Sequence, residues 1–513
     1  MFEAAELGRE LDKSDYKSQL PDLRAQLLQT QFALSKTNIP VIIIVSGIDA
    51  AGRGEVVNAL NEWLDPRGLE TFSLDVLTDE ERERPHYWRF WRRLPSRGRI
   101  GIYFGGWYVD PITNAAHQTW DNAKTDEALD QIRRFETMLV EDGALIVKLW
   151  LHLSQKEQRK RLKALEKDPH SRRSVTESDW KAADLYPQFV NAAERAIRDT
   201  DSGAAPWVLI EATDARYRNI TVARTVLNAL RQRINEYDLQ KQQTNCNSNS
   251  LNMPIENSIA SPLVAEPRSS SSKAHLTVLD KVDISQKLTA KEYRQQIQTL
   301  QGRLHRLTWA AHEKKRSSVF VFEGWDAAGK GGCIRRITQA MDARLYQVIS
   351  TAAPTDEERA HHYLWRFWRH IPRAGLVTVY DRSWYGRVLV ERVENFATES
   401  EWKRAYLEIN SFEEQLVNHG TIMLKFWIHI SPEEQLRRFK EREVIAYKQH
   451  KITDEDWRNR DKWDAYTLAV NDMVARTSTT LAPWVLVSGE DKGFGRIEVL
   501  KTVCNRLEEA LSS

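Results

Sequence analysis

Apolar residues along this chain follow two rhythms. At Leu20, Leu23, Leu27 and Leu28, and again at Ile297, Leu300, Leu304 and Leu307, they recur every three or four residues, the period of an amphipathic helix. Short, mostly apolar runs follow a different rule: Val41-Ile-Ile-Ile-Val45, Gly101-Ile-Tyr-Phe104, Ala144 to Leu153 and Trp207 to Ile210. A second set comprises Val319-Phe-Val-Phe322, Leu376-Val-Thr-Val-Tyr380, Thr421 to Ile430 and Trp484 to Val487. Runs apolar on both alternating faces predict strands buried on both sides, and the helical stretches between them predict a parallel sheet covered on both sides. The expected class is α/β.

The pattern is written twice. Gly47-Ile-Asp-Ala-Ala-Gly-Arg-Gly54 returns 277 residues later as Gly324-Trp-Asp-Ala-Ala-Gly-Lys-Gly331. Trp88-Arg-Phe-Trp-Arg92 returns as Trp365-Arg-Phe-Trp-Arg369 at the same offset, and Lys148, His152 and Trp207 return as Lys425, His429 and Trp484. A constant offset means duplication of a whole domain rather than a short stacked repeat. Between the copies, Gln242-Gln-Thr-Asn-Cys-Asn-Ser-Asn-Ser and the run Ser269 to Ser272 are polar and low in aromatics, the composition of a flexible linker. The expected organisation is a domain over 1–238, a linker over 239–277 and a domain over 278–513.

Composition narrows the class of function. Lys+Arg 74 against Asp+Glu 72 leaves a net charge of +2, so no basic field gathers nucleic acid or an anionic membrane. Three scattered cysteines exclude a disulfide framework and a CxxC metal site. The N-terminus lacks a basic stretch followed by an apolar one, and no apolar run approaches the ~20 residues needed to span a bilayer. A cytoplasmic protein acting on small molecules is expected.

Chemistry concentrates in the second copy. Gly324-x-x-x-x-Gly329-Lys330 follows a strand and opens a helix, the setting in which backbone N–H groups cradle phosphate and the lysine reaches its terminal oxygens. Gly331 and Gly332 extend the loop, and Gly331 stands where a Ser or Thr usually meets Mg²⁺, so Asp326 is expected to supply that contact. Asp381 ends a buried strand in the Walker B position and is the second expected ligand of Mg²⁺. Glu391 is either a further metal ligand or a solvated helix residue, and the sequence leaves both open. Arg382 and Arg387 suit phosphate oxygens. Arg438 and Arg442, four apart on one helix face, predict a basic helical lid; a solvated Glu/Arg helix is the alternative. The Trp-Arg-Phe-Trp-Arg boxes read as core aromatics with snorkelling arginines, and His361, His362 and Cys333 as structural.

The first copy has kept the pattern and lost these groups. Arg53 stands for Lys330, Glu55 for Gly332, Phe104 for Asp381, Gly105 for Arg382 and Asp110 for Arg387, while Asp49 matches Asp326. A phenylalanine cannot hold a metal, so the first domain is expected to be inactive.

Taken together, Gly324-x-Asp-Ala-Ala-Gly-Lys-Gly-Gly332 and Asp381-Arg-Ser-Trp-Tyr-Gly-Arg-Val-Leu-Val-Glu-Arg392 resemble the polyphosphate kinase 2 family. The stretch from Trp463-Asp-x-Tyr466 through Thr477-Ser-Thr479 to Pro483-Trp484 does so too. The duplicated form with a degenerate first half resembles the subgroup that phosphorylates AMP to ADP with inorganic polyphosphate. That resemblance implies two P-loop kinase-like domains, Mg²⁺ dependence and a helical lid. It implies catalytic roles for Asp326, Lys330, Asp381 and Arg382, and phosphate binding by Gly324, Gly329, Gly331, Gly332, Arg387, Arg438 and Arg442. A first domain kept without chemistry is expected to pair with the second as an intramolecular pseudo-dimer, with further self-association left open. The rivals are an ATP-dependent nucleotide kinase on the same fold and a non-catalytic polyphosphate- or nucleotide-binding protein.

Overall fold

A computed structural model describes residues 1–73, 77–167, 175–250, 277–444 and 454–512. Each repeat contains one five-stranded, all-parallel sheet with helices between successive strands. In the first repeat the strands are β1 (Val41–Gly47), β2 (Leu69–Ser73), β3 (Ile100–Phe104), β4 (Leu145–His152) and β5 (Trp207–Glu211), in the order β2-β3-β1-β4-β5. In the second they are β6 (Ser318–Gly324), β7 (Tyr346–Ser350), β8 (Val377–Asp381), β9 (Ile422–His429) and β10 (Trp484–Ser488), in the matching order β7-β8-β6-β9-β10. The registers match as well: Val41 pairs with Ile100 and Ser318 with Val377.

The apolar runs explain the sheet. β1 is buried at every position, and β6 at every position but its last. Such strands are stable only between two helical layers. Each sheet also buries a lysine. Lys425 on β9, without solvent exposure, donates to Glu413 at 2.7 Å, the Tyr385 hydroxyl at 2.8 Å and the Thr477 carbonyl at 2.7 Å. Lys148 repeats the set with Glu136, Tyr108 and Thr200. All three ammonium hydrogens are used, which makes a buried lysine tolerable and pins strand, helix and loop together.

The described residues form two compact units whose boundaries do not follow the repeats. One contains the first repeat without Thr78–Arg92 but with Arg359–His362; the other contains the second repeat together with Thr78–Arg92. Within the second unit Trp91 stacks on Trp368 with ring centroids 5.7 Å apart. Arg84 donates through Nε to the Ile371 carbonyl at 3.0 Å, and Arg373 pairs with Glu83 at 2.5 Å. Trp88, Phe90 and Trp91 of one Trp-Arg-Phe-Trp-Arg box, and Trp365, Phe367 and Trp368 of the other, are buried. The boxes are packing elements.

The helix that closes the first repeat, Ala215–Ser250, runs past the expected linker boundary at 238. Leu239, Gln240, Lys241 and Gln242 are good helix formers, and they carry the last turns into the polar stretch. The rest of the expected linker, 251–276, lies outside the described residues.

Candidate active site

β6 ends in a loop that the backbone allows only with particular residues. A Cβ on Gly324, whose φ is 150°, would sit 2.5 Å from the Ile428 carbonyl oxygen on β9. Glycine is required for so close a strand-to-strand approach. Ala327 at φ 63° and Gly329 at φ 115° then turn the chain into the helix Lys330–Thr338. A Cβ on Gly331 would meet nothing within 4 Å, and one on Gly332 would meet Arg496 at 3.3 Å. The loop thus presents an open helix N-terminus with an arginine beside it, an arrangement suited to anions.

Lys330 lies in this loop with its Nζ donating to the carbonyls of Gly324 at 2.6 Å and Trp325 at 3.2 Å. Burial draws its pKa below that of a free lysine, opposed by Asp326 and Asp381. Asp326 accepts from Arg382 at 2.9 Å and from Asn459 Nδ2 at 3.0 Å. Burial alone would raise the Asp326 pKa, but the neighbouring Lys330, Arg382 and Asn459 outweigh it and hold the carboxyl below its ordinary value. Asp381 ends β8 beside Phe322 of β6 and Ser350 of β7, and among the described residues its carboxylate has no hydrogen bond or ion pair. Arg382 follows with φ 63°, a left-handed turn that costs a non-glycine residue about 1–2 kcal/mol. The turn is held by its N–H to the Phe322 carbonyl and by the Thr351 hydroxyl donating to its own carbonyl. It aims the guanidinium back at Asp326.

Glu323 lies beneath both segments and escaped sequence reasoning because it is one more position of an apolar strand. It accepts from the Ser383 N–H and hydroxyl, both at 2.8 Å, and burial raises its pKa. Asn459 was also missed. It stands in the helix Asp454–Asp461, between Asp326 and the Tyr466 hydroxyl, which donates to it at 3.1 Å. Trp325 and Trp463 stack beside this network with centroids 3.8 Å apart. Copy comparison carried the missing signal, since Glu323, Asn459 and Tyr466 correspond to Ser46, Ala182 and Phe189.

Two expected residues behave differently from expectation. Arg438 does not face a phosphate. Its Nε donates to Glu434, one terminal nitrogen to the Ala327 and Ala328 carbonyls, and the other to those of Gly489 and Glu490, at 2.6–3.0 Å. All five guanidinium hydrogens are spent, so Arg438 is a clamp on the back of the loop. Glu391 pairs with Arg387 at 3.2 Å, while Arg387 lies over the Tyr363 ring at 4.5 Å. Burial pushes the Glu391 pKa up, with Arg387 opposing. Among the described residues no three carboxylate, histidine or cysteine groups gather around a metal-sized point, so Glu391 does not complete a triad with Asp326 and Asp381. Arg442 is half-buried in the last turn of the helix Pro432–Val444, and the residues after it, 445–453, lie outside the described ones. The donor set of Asp381 and Asp326 still suits Mg²⁺, which is typically held by one or two carboxylates, phosphate oxygens and water.

In the first repeat the same loop is closed upon itself. Arg53 pairs with Asp49 and lies over the Phe104 ring at 5.0 Å. Glu55, in the first helical turn, accepts from Arg218 and Arg161, each at 2.6 Å, so a carboxylate of the chain itself neutralises the local arginines. Arg218 also donates to the Ala51 carbonyl at 3.0 Å, replacing the Arg438 clamp. Gly105 has φ 76°, and a Cβ there would collide with Val109, whose counterpart is Gly386.

A parallel α/β sheet, a glycine loop feeding a helix and an aspartate ending the neighbouring strand define a phosphoryl-transfer enzyme. The chain belongs to the polyphosphate kinase 2 family, whose model matches residues 10–238 and again 287–513. It is 48% identical to the polyphosphate:AMP phosphotransferase of Pseudomonas aeruginosa over 511 residues, 99% of each chain. It is 44% identical to the enzyme of the same name from Pseudomonas syringae pv. tomato, over all of this chain and 99% of that one. A crystal structure from Pseudomonas aeruginosa PA01 assigned to polyphosphate kinase 2 superposes over the whole of both chains with a TM-score of 0.86 at 45% identity.

Proposed function

We propose that the second repeat transfers the terminal phosphoryl group of inorganic polyphosphate to AMP, releasing ADP and a shortened chain. The observation that carries this reading is the contrast between copies. Asp326, Lys330, Asp381 and Arg382 stand together in one repeat, and only Asp49 of their counterparts keeps its residue type in the other. The curated relatives that match full length carry the activity in their names.

The chemistry follows from the geometry. An AMP phosphate oxygen, already ionised near neutral pH, attacks the terminal phosphorus of the chain in line with the bridging oxygen; the new P–O bond forms as the bridging one breaks, and the shortened chain leaves with the electron pair. Lys330 trades its bonds to the Gly324 and Trp325 carbonyls for the transferring phosphoryl oxygens. Mg²⁺ held by Asp381 and Asp326 would supply further charge neutralisation when bound. Arg382 orients Asp326, and Asn459 and Tyr466 close the site from the lid side, limiting loss of phosphoryl groups to water. No general base is required. The two repeats act as an intramolecular pair in which the first contributes packing, including Thr78–Arg92. No described helix is long and apolar enough to cross a membrane, in keeping with action in the cytoplasm.

The test is ADP formation from AMP, polyphosphate and Mg²⁺, with each omitted in turn. ADP formed with ATP but not with polyphosphate as donor would move the reading to a nucleotide kinase.

A further inference from the structure

The cleft at the strand ends of the first repeat has been remade rather than filled. It encloses about 240 Å³, against about 70 Å³ for the cleft built from corresponding positions in the second repeat. Its walls include Phe104, Tyr108, Ile112, Trp150, Leu185 and Phe189. Where the second repeat places Asp381, Asn459 and Tyr466, the first places Phe104, Ala182 and Phe189, so each polar group has become an apolar one.

The remaining charge is self-contained. Asp49 and Arg53 also line the cleft, and they are paired with each other. A phosphate entering would have to take Arg53 from Asp49 and would find Phe104 where a metal ligand stands in the other repeat. An uncharged planar ring meets no such cost and finds a largely apolar and aromatic lining. Size sets the ring class. An apolar cavity of about 150 Å³ accommodates the six heavy atoms of benzene, so about 240 Å³ corresponds to roughly ten, a fused bicyclic ring. Where the cleft opens, Thr113 and the exposed His117 offer hydrogen-bonding groups to a substituent such as a sugar.

We propose that the first repeat binds an uncharged purine nucleoside, ring inward against Phe104 and Phe189 and sugar toward Thr113 and His117. The choice of adenosine as probe rests on the reading that the second repeat acts on AMP.

The experiment is calorimetric titration of adenosine into the full-length chain with saturating AMP and no polyphosphate, so that the second repeat is occupied. The expected result is one adenosine bound per chain. Ala182→Phe, which fills the cleft, should weaken that binding at least tenfold while ADP formation stays within about twofold of wild type. If Ala182→Phe lowers the melting temperature without ligand, Thr113→Phe fills the mouth instead and should give the same loss. No adenosine heat in the wild type, or affinity unchanged in the folded filling variant, would overturn the proposal. The first of these results includes the case in which AMP itself takes the site. Failure of the ADP assay with adenosine binding intact and lost on filling would sink the proposed activity and leave this site standing.

Discussion

At position 330 an ammonium is bonded to carbonyls of its own loop, and at position 53 a guanidinium is bonded to Asp49. The first can turn to a substrate; the second is already neutralised. Lys330→Ala should therefore lower turnover on the order of a hundred- to a thousandfold, the usual cost of one preorganised contact to transition-state charge. Arg53→Ala should lower it less than about tenfold in the same assay, with both variants melting like the wild type. Equal losses would mean that the first repeat takes part in the chemistry. Asp326 allows a second check. Its folded pKa lies below the unfolded value of about 4, so its contribution to stability is complete above that value and is lost as pH falls through the folded one. The melting-temperature gap between wild type and Asp326→Asn should accordingly narrow on acidification below about pH 4. Lys330 and Asp381 were legible as sequence because residue type and spacing suffice to mark them. Arg438 misled because a sequence shows that an arginine lies near a loop, but not that carbonyls have already claimed all five of its hydrogens.

For the elements, hydrophobic pattern carried most of the information. The strands that line the sites were visible as mostly apolar runs, since burial on both faces leaves few polar positions. The helix Asp454–Asp461, which presents Asn459, was not legible at all. What holds it, Glu394 with Arg458 at 3.3 Å and Lys462 at 2.8 Å, joins residues 64 and 68 positions apart, and no local pattern encodes that pairing. Glu394→Gln should loosen the helix that presents Asn459, raising KM and the rate of polyphosphate hydrolysis without AMP more than it lowers kcat. Equal ratios of hydrolysis to transfer in variant and wild type would refute that role. Arg438→Ala should act through stability. It would leave Glu434 without one partner and four carbonyls unpaired, and breaking a buried ionic network of this kind costs about 3–5 kcal/mol. Urea unfolding should show that loss in the second repeat, and Arg438→Lys, with three donors instead of five, should recover only part of it.

At the scale of the molecule, the duplication was plain in the sequence and the trade of segments was not. Thr78–Arg92 matches its own repeat at the constant offset, so nothing in its composition announces that it packs with the other. Residues 278–513 made alone would lack Trp91 on Trp368 and Glu83 on Arg373. That fragment should self-associate in sedimentation runs at concentrations where the full chain does not, and adding Trp368→Ser should improve its solubility. A stable, fully active monomer of the fragment would show that the borrowed segment is dispensable. The trade also sets a timetable for biosynthesis. Arg84 and Ile371 are 287 residues apart, and a ribosome adding about 5–20 residues per second needs roughly 15–60 s to travel from one to the other. For that interval a nascent tryptophan-rich stretch waits outside the exit tunnel without its partner, a window in which holding chaperones and neighbouring polysomes compete for it.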